Sequence, residues 1–208
     1  MGIAERKMRE KQARIKQIRK SAAYFFEKKG FQKVTMDDIA HRAEISKKTI
    51  YLYFKSKEDL YYDVVREAMA RTKSIVIDGY ESRKAPEENI RLIFEDLYRW
   101  YIDNHDATNI FVRLRENEIT QLLSQDNLDH LRDLMRSTLK HLGAIIKEGI
   151  DQGIFEDVDP MLAATIFWSA FVGILQFQEN RLAVGKKDYR KSTLDKGLDW
   201  LLKAIKKA

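Results

Sequence analysis

Side chains that bind nucleic acid are concentrated in one short segment, residues 35–57, with the sequence TMDDIAHRAEISKKTIYLYFKSK. Lysine neutralises phosphate and donates to guanine, tyrosine donates to phosphate, and threonine hydrogen-bonds to bases or backbone. Thr35 and Ser46 are suitable N-caps, and the break at Glu44-Ile45-Ser46 separates two short helical patterns. The segment therefore predicts a helix-turn-helix, whose second helix can enter the DNA major groove.

The second predicted helix, residues 47–54, has an inward and an outward side. Ile50 and Phe54 lie four residues apart and are expected to anchor it inward. Base or near-base contacts are predicted for Lys47, Lys48, Thr49 and Tyr51. Contacts with the DNA backbone are predicted for Thr35, Tyr53 and Lys57. Tyr51 has a second possible role, packing inward beside Ile50, and the sequence leaves both roles open.

The same segment resembles the DNA-binding domain of the TetR family of bacterial repressors. The resemblance covers roughly residues 14 to 62 and includes Tyr51-x-Tyr53-Phe54, the run KSKEDL that follows it, and Lys29-Gly30-Phe31 upstream. It recurs in GIFEDVDPMLAA, residues 153–164, where Asp159 is expected to cap a helix that begins at Pro160. The family usually has glycine where this chain has Glu44, since a positive φ suits glycine.

The resemblance implies an all-α fold of about nine helices. A three-helix DNA-binding domain with a basic N-terminal arm is expected in residues 1–56. A helical ligand-binding and dimerisation domain is expected in residues 57–208. The long fourth helix would connect the two and transmit the state of the ligand site to the DNA-binding helices.

Charge is distributed unevenly along the chain. The net charge is +6, but the first 57 residues contain 16 Lys and Arg against 6 Asp and Glu. The remainder contains 22 against 26, so a basic segment precedes a mildly acidic body. Taken alone, a basic run indicates a solvated surface; joined to a helix-turn-helix, it indicates DNA binding. Whether the first ten residues are disordered or contact DNA stays open.

The sequence lacks the common catalytic and metal-binding patterns. The chain has no cysteine, so it has no disulfide, thiolate metal site or cysteine nucleophile. The four histidines lie in unrelated contexts, and neither a Gly-rich phosphate loop nor a Gly-x-Ser-x-Gly elbow occurs. We therefore expect no enzyme activity, no cofactor and no metal. The polar N-terminus has no apolar signal region, which favours the cytoplasm.

A charge-free run of 17 residues, 161–177, has almost the length of a membrane span. It contains Thr165, Ser169 and Gln176 and is bracketed by acidic residues, which favours a helix buried on both sides and no membrane. One side would pack on its own core and the other on a second subunit; in the TetR family the last two helices form a four-helix bundle with their twofold mates. The predicted dimer interface is Phe167, Phe171, Ile174, Leu194, Leu198, Leu201, Leu202 and Ile205. The alternative is that these residues only close the core of the single chain.

The predicted ligand-binding domain contains enough aromatic residues to line an apolar pocket, together with a few polar residues that could hold a ligand. The predicted lining is Phe94, Trp100, Tyr101, Phe111, Arg113, Asn117, His141, Trp168, Phe171 and Gln176. For each aromatic residue taken singly, an ordinary core position is the competing interpretation.

These features predict a ligand-responsive transcriptional repressor. It would bind a palindromic double-stranded DNA operator as a homodimer, with recognition helices about 34–36 Å apart, and be released by a small hydrophobic effector. Two other classes remain: a sequence-independent architectural DNA-binding protein, and a helical small-molecule-binding protein without a DNA role.

Overall fold

The computed structural model describes residues 2–112, 121–185 and 187–207. The predictions for Arg113, Asn117 and the side chain of Phe111 lie outside the described residues.

The described part of the chain is helical, as expected for the all-α class. The bounded α-helices are α1 (Ile3–Lys29), α2 (Met36–Arg42), α3 (Lys47–Tyr51), α4 (Lys57–Asp78), α5 (Pro86–Asp103), α6 (His105–Val112), α7 (Gln125–Asp151), α8 (Pro160–Val184) and α9 (Arg190–Ile205). A 3₁₀ turn, Phe31–Lys33, follows α1. Within these residues, β-structure is limited to an isolated bridge between Phe155 and Lys206.

The chain divides into two compact units. The first contains Met1–Ala68 and Asn104–Asp129, and the second contains Met69–Asp103 and His130–Ala208. This grouping reflects packing, whereas the boundary predicted at residue 57 separates functions and remains a prediction.

In the first unit, α6 packs along α1 although the two helices are far apart in sequence. Asn109 of α6 is completely buried, and its Nδ2 donates to Glu27 Oε1 of α1 at 2.9 Å. This buried hydrogen bond links α1 to α6 at one defined pair of residues, although Asn109 Oδ1 has no hydrogen-bond partner among the described residues. The pKa of the Glu27 carboxyl lies below its usual value because hydrogen bonds from Lys28 and Asn109 outweigh the desolvation.

In the second unit, aromatic rings of α5 and α8 form the centre of the core. Phe94 meets Phe171 edge-on with centroids 5.5 Å apart and meets Phe167 at 6.3 Å. Edge-to-face contacts of this kind add to the free energy gained from apolar burial. The entry to α8 is as predicted: Asp159 Oδ1 accepts from the backbone N–H of Met161 at 2.8 Å, and Pro160 occupies the first turn.

Beside these rings lies a buried polar network. The Tyr101 hydroxyl donates to Glu179 Oε1 at 2.8 Å, and the guanidinium of Arg190 donates to the same oxygen. Burial and the bond to Glu179 both raise the pKa of Tyr101, so its hydroxyl stays protonated. The network ties α5 and α8 to the start of α9.

The predicted dimer residues divide into two groups, and one group is corrected. Phe167 and Leu202 are each 1 % exposed, and Phe171 and Leu194 are also buried inside the single chain. These four side chains cannot offer surface to a partner, so the alternative of a closed protomer core is right for them. The other four, Ile174, Leu198, Leu201 and Ile205, are half-buried.

The predicted pocket residues also require correction. Phe94, Tyr101, Trp168 and Phe171 are buried members of the core just described, and Trp100 is half-buried. His141 and Gln176 are exposed, and His141 Nδ1 lies 2.7 Å from the carbonyl oxygen of Ser137 on its own helix. These two polar side chains therefore do not anchor a ligand inside the protomer core.

By length and composition, one of the described helices, α8, is able to cross a membrane, although only about a third of its most apolar stretch is buried. A single such helix is weak evidence for a span.

Candidate nucleic-acid interface

The first helix of the predicted helix-turn-helix is fixed by a reciprocal cap. The Thr35 hydroxyl accepts from the backbone N–H of Asp38 at 3.1 Å and donates to Asp38 Oδ2 at 2.7 Å. The backbone N–H of Thr35 also donates to that carboxylate, at 3.0 Å. These hydrogen bonds lower the pKa of Asp38. The hydroxyl of Thr35, predicted to contact DNA, is thus engaged in starting α2.

The turn after α2 has the strained geometry expected at Glu44. Its φ is 51°, the positive value that the family's glycine would accommodate more easily. The turn is held from both sides: the backbone N–H of Ile45 donates to Ala40 O at 3.1 Å, and Gln17 Nε2 of α1 donates to Ala43 O at 2.7 Å. These bonds satisfy the turn's backbone and set the angle at which α3 leaves it.

The second helix, α3, is short and is held by its ends and its inner face. The Ser46 hydroxyl accepts from the backbone N–H of Thr49 at 3.1 Å, which is the predicted N-cap. Ile50 is completely buried, and Phe54 is 5 % exposed. The predicted inward anchors are therefore confirmed.

The outer face of α3 carries the predicted base-contacting groups. Lys47 and Lys48 are exposed, Thr49 is half-buried, and Tyr51 is 46 % exposed. The inward alternative for Tyr51 is wrong. Leu52, which the sequence prediction did not include among the contacts, is 75 % exposed. A leucine on the same outer face as the lysines is the sequence feature that could have predicted a DNA contact here, because apolar side chains contact thymine methyl groups.

Lys47 has a partner within the domain. Its Nζ lies 2.6 Å from Asp37 Oδ2 of α2, and both side chains are more than half exposed. The hydrogen bond from the ammonium to Asp37 raises the pKa of Lys47. Since the pair is solvated, a phosphate can replace the carboxylate as the lysine's partner.

Lys57, which is predicted to contact the DNA backbone, has partners inside the domain. Its Nζ donates to the backbone oxygens of Phe31 and Val34, each at 2.9 Å, and lies 4.2 Å from the centroid of the Phe31 ring. Two of its three N–H groups are therefore used inside the domain. Lys57 therefore ties the start of α4 to the loop before α2, and its contact with DNA stays a prediction.

Comparison with known proteins agrees with this geometry. Residues 18–64 match the family model described as bacterial regulatory proteins, tetR family. Residues 83–176 match the model described as tetracyclin repressor-like, C-terminal domain. The chain belongs to the TetR family of bacterial transcriptional regulators.

Several relatives of this TetR-family protein have names that describe regulation. It is 27 % identical to the fatty acid metabolism regulator protein of Bacillus subtilis, over 75 % of this chain and 78 % of that protein. It is 25 % identical to the transcriptional repressor KstR2 of Rhodococcus jostii, over 68 % of each chain.

Solved structures share the fold. The TetR-family regulator PfmR from Thermus thermophilus has a TM-score of 0.75 at 24 % identity, covering 89 % of this chain and 97 % of that one. The regulator FadR from Bacillus subtilis, in complex with stearoyl-CoA, has a TM-score of 0.74 at 21 % identity, covering 91 % and 98 %.

We expect Lys57→Ala to lower the free energy of unfolding by about 1–3 kcal/mol, because two carbonyl oxygens lose a charged donor. Chemical denaturation monitored by circular dichroism measures this. The matched control is Lys55→Ala, an exposed lysine whose loss should change stability by no more than about 0.5 kcal/mol. Equal stability of the two variants would contradict the tie.

Proposed function

We propose that this TetR-family transcriptional regulator is a homodimeric repressor that binds a palindromic operator and is released by a small hydrophobic effector. The observation that carries the DNA-binding part is the construction of α3. Its buried Ile50 fixes the helix, while Lys47, Lys48 and Tyr51 project into solvent with no element of the described first unit covering them.

Each group on α3 is suited to a particular contact. Lys48 has no ion-pair partner among the described residues, so we assign it to a base edge, with Lys47 reaching a phosphate or base after leaving Asp37. Tyr51 and Thr49 are assigned to near-base contacts and Tyr53 to a phosphate. Leu52 is assigned to a thymine methyl group. Thr35 and Lys57 act by positioning α2 and α4.

The dimer is argued from exposed apolar side chains in the second unit. Leu162, Ile166 and Phe177 of α8 are 59 %, 47 % and 62 % exposed, and Trp200 of α9 is 70 % exposed. Leu162, Ile166, Gly173 and Phe177 follow helical spacing on one face of α8, and a Cβ added at Gly173 would meet nothing within 4 Å. Exposed apolar faces of this kind bind partners. A second copy of the chain supplies the same face by twofold symmetry.

The effector class is argued from the apolar body and from the relatives. A cleft in the second unit has a volume of about 30 Å³, far below the roughly 300–1,000 Å³ of small-molecule sites. Its lining is both apolar and charged: Phe94, Tyr98, Phe171, Leu194, Leu198, Arg91, Glu95, Lys191 and Asp195. An effector that used this cleft would therefore have to separate its walls, including Phe94 and Phe171. Because one relative is a fatty acid metabolism regulator, fatty acyl thioesters are the first class to test.

The operator is testable by selecting bound duplexes from a random-sequence library. We expect one palindromic site, with half-sites about one helical turn or a multiple of it apart. On that site, Lys48→Ala should weaken binding by about 1–3 kcal/mol and relax the preference at one base pair per half-site.

The matched control is Lys196→Ala, which removes the same charge from an exposed position on α9. It should leave the base preference unchanged. Enrichment of duplexes without any common sequence would favour the architectural alternative, and recovery of no duplex would favour a protein without a DNA role.

The dimer is testable by sedimentation at micromolar concentration. We expect Ile166→Glu to convert the dimer into monomers, because it would place two symmetry-related charges in an apolar interface. Ile102→Glu, at a residue on α5 with similar exposure, should leave the dimer intact. A wild-type protein that sediments as a monomer would refute the proposed interface.

The effector is testable with a series of acyl-CoA thioesters of increasing chain length. A binding thioester at about one hundred times its Kd should raise Tm by about 5–10 °C and weaken operator binding. Free CoA is the control, since it lacks the acyl chain. If no thioester changes Tm or operator affinity, acyl thioesters are excluded as effectors. This result would leave the proposed operator binding unaffected, because the duplex selection tests it separately.

A further inference from the structure

Helix α1 extends beyond the domain that anchors it. It begins at Ile3, about two turns earlier than the start near residue 10 that the sequence indicates, and every residue from Gly2 to Ala13 is exposed. Burial starts with the half-buried Arg14 and is complete at Ile18. We call residues 3–16 the α1 extension.

The helical state of the α1 extension has local causes. Its residues are mostly strong helix formers, and Glu5 Oε2 accepts from the backbone N–H of Gly2 at 3.0 Å at the start. Arg6 pairs with Glu10 one turn later, at 2.8 Å. The anchored part of α1 already supplies the nucleus, so the extension needs only elongation.

The α1 extension is strongly basic on its surface. Residues 3–16 contain six Lys and Arg and two Glu. Both glutamates are engaged, Glu5 with the Gly2 amide and Glu10 with Arg6. Lys7 and Lys11 have no ion-pair partner among the residues that the structure describes, so their charges are uncompensated.

The basic residues form two stripes that continue toward different neighbours. Lys7, Lys11 and Arg14 follow spacings of four and three and lead to the buried Ile18. Arg14 Nη1 donates to Gln17 Oε1 at 2.8 Å, and Gln17 Nε2 donates to Ala43 O in the turn between α2 and α3. Arg14 of this first stripe is therefore linked through Gln17 to the turn that precedes α3.

The second stripe is made by Arg9, Lys16 and Lys20 and leads to Glu27, whose partner is Asn109 of α6. It therefore lies on the side of α1 that adjoins α6. The two stripes carry equal charge and lie on opposite faces of one helix, and Lys20 of the second stripe belongs to the anchored part of α1.

We propose that Lys7, Lys11 and Arg14 form a second DNA-binding element that contacts phosphates next to the half-site held by α3. The turn that holds Gln17 is the one from which α3 begins, so the extension emerges beside the end of α3 that approaches the bases. Lys7 to Arg14 spans about 10 Å along the helix, the axial rise of about three nucleotides on one strand. The inference rests on the proposed DNA-binding function.

The experiment uses the full chain and a 30-base-pair duplex of random sequence, with binding followed by fluorescence anisotropy between about 50 and 200 mM salt. The variant is Lys7→Gln, Lys11→Gln and Arg14→Gln, and the control is Arg9→Gln, Lys16→Gln and Lys20→Gln. If three phosphates are contacted, the variant's slope of log affinity against log salt should be smaller by about 2.7. Wild-type affinity would then fall roughly 40-fold more than the variant's over this range.

The control should keep nearly the wild-type slope. A double variant, Lys7→Gln with Lys11→Gln, leaves the Arg14 bond to Gln17 intact. It should reduce the slope by about two thirds as much as the triple variant does. Equal slopes for wild type and variant, or equal losses for variant and control, would overturn the inference while leaving the proposed function standing. Failure of the wild type to bind any duplex would instead overturn the proposed function.

Discussion

The DNA-binding surface depends on one constraint: a helix of five residues, Lys47–Tyr51, has to be held in place entirely by its surroundings. A helix this short does not form alone, because nucleation is unfavourable and few hydrogen bonds are gained. Here Ser46 satisfies its first turn, Ile50 and Phe54 bury its inner face, and the Gln17 bond fixes the preceding turn. The backbone that carries the exposed groups is therefore fixed before any DNA is bound, which reduces the entropy lost on binding.

Much of this arrangement is predictable from sequence because its causes are local. Caps depend on residues three apart, as in Thr35 with Asp38, and inward anchors depend on a spacing of four, as in Ile50 with Phe54. The same holds for Asp159 and Pro160 at the start of α8. Even the strain at Glu44 follows from the residue type at a turn that needs a positive φ.

The parts that sequence could not predict depend on tertiary contacts. Periodicity identifies an apolar stripe but does not say whether its own chain or a partner covers it. The stripe therefore predicts a dimer contact for Leu194 and Leu202, which are buried in the single chain, and gives no sign of the exposed Trp200. Lysine patterns likewise indicate charge but not which ammonium folds back, as Lys57 does onto two carbonyl oxygens. Both differences arise because the same residue type serves the core and the surface.

The packed body also constrains how an effector could act. A ligand shifts the regulator only by binding one conformation more tightly than another, and the cleft beside Phe94 and Phe171 is too small for one as it stands. An acyl chain entering there would replace ring–ring contacts by chain–ring contacts, an exchange of one apolar environment for another. The Tyr101–Glu179–Arg190 network offers no such exchange, because each of its hydrogen bonds would lose a buried partner. We therefore expect the opening to begin at the aromatic side of α8 and to leave that network closed.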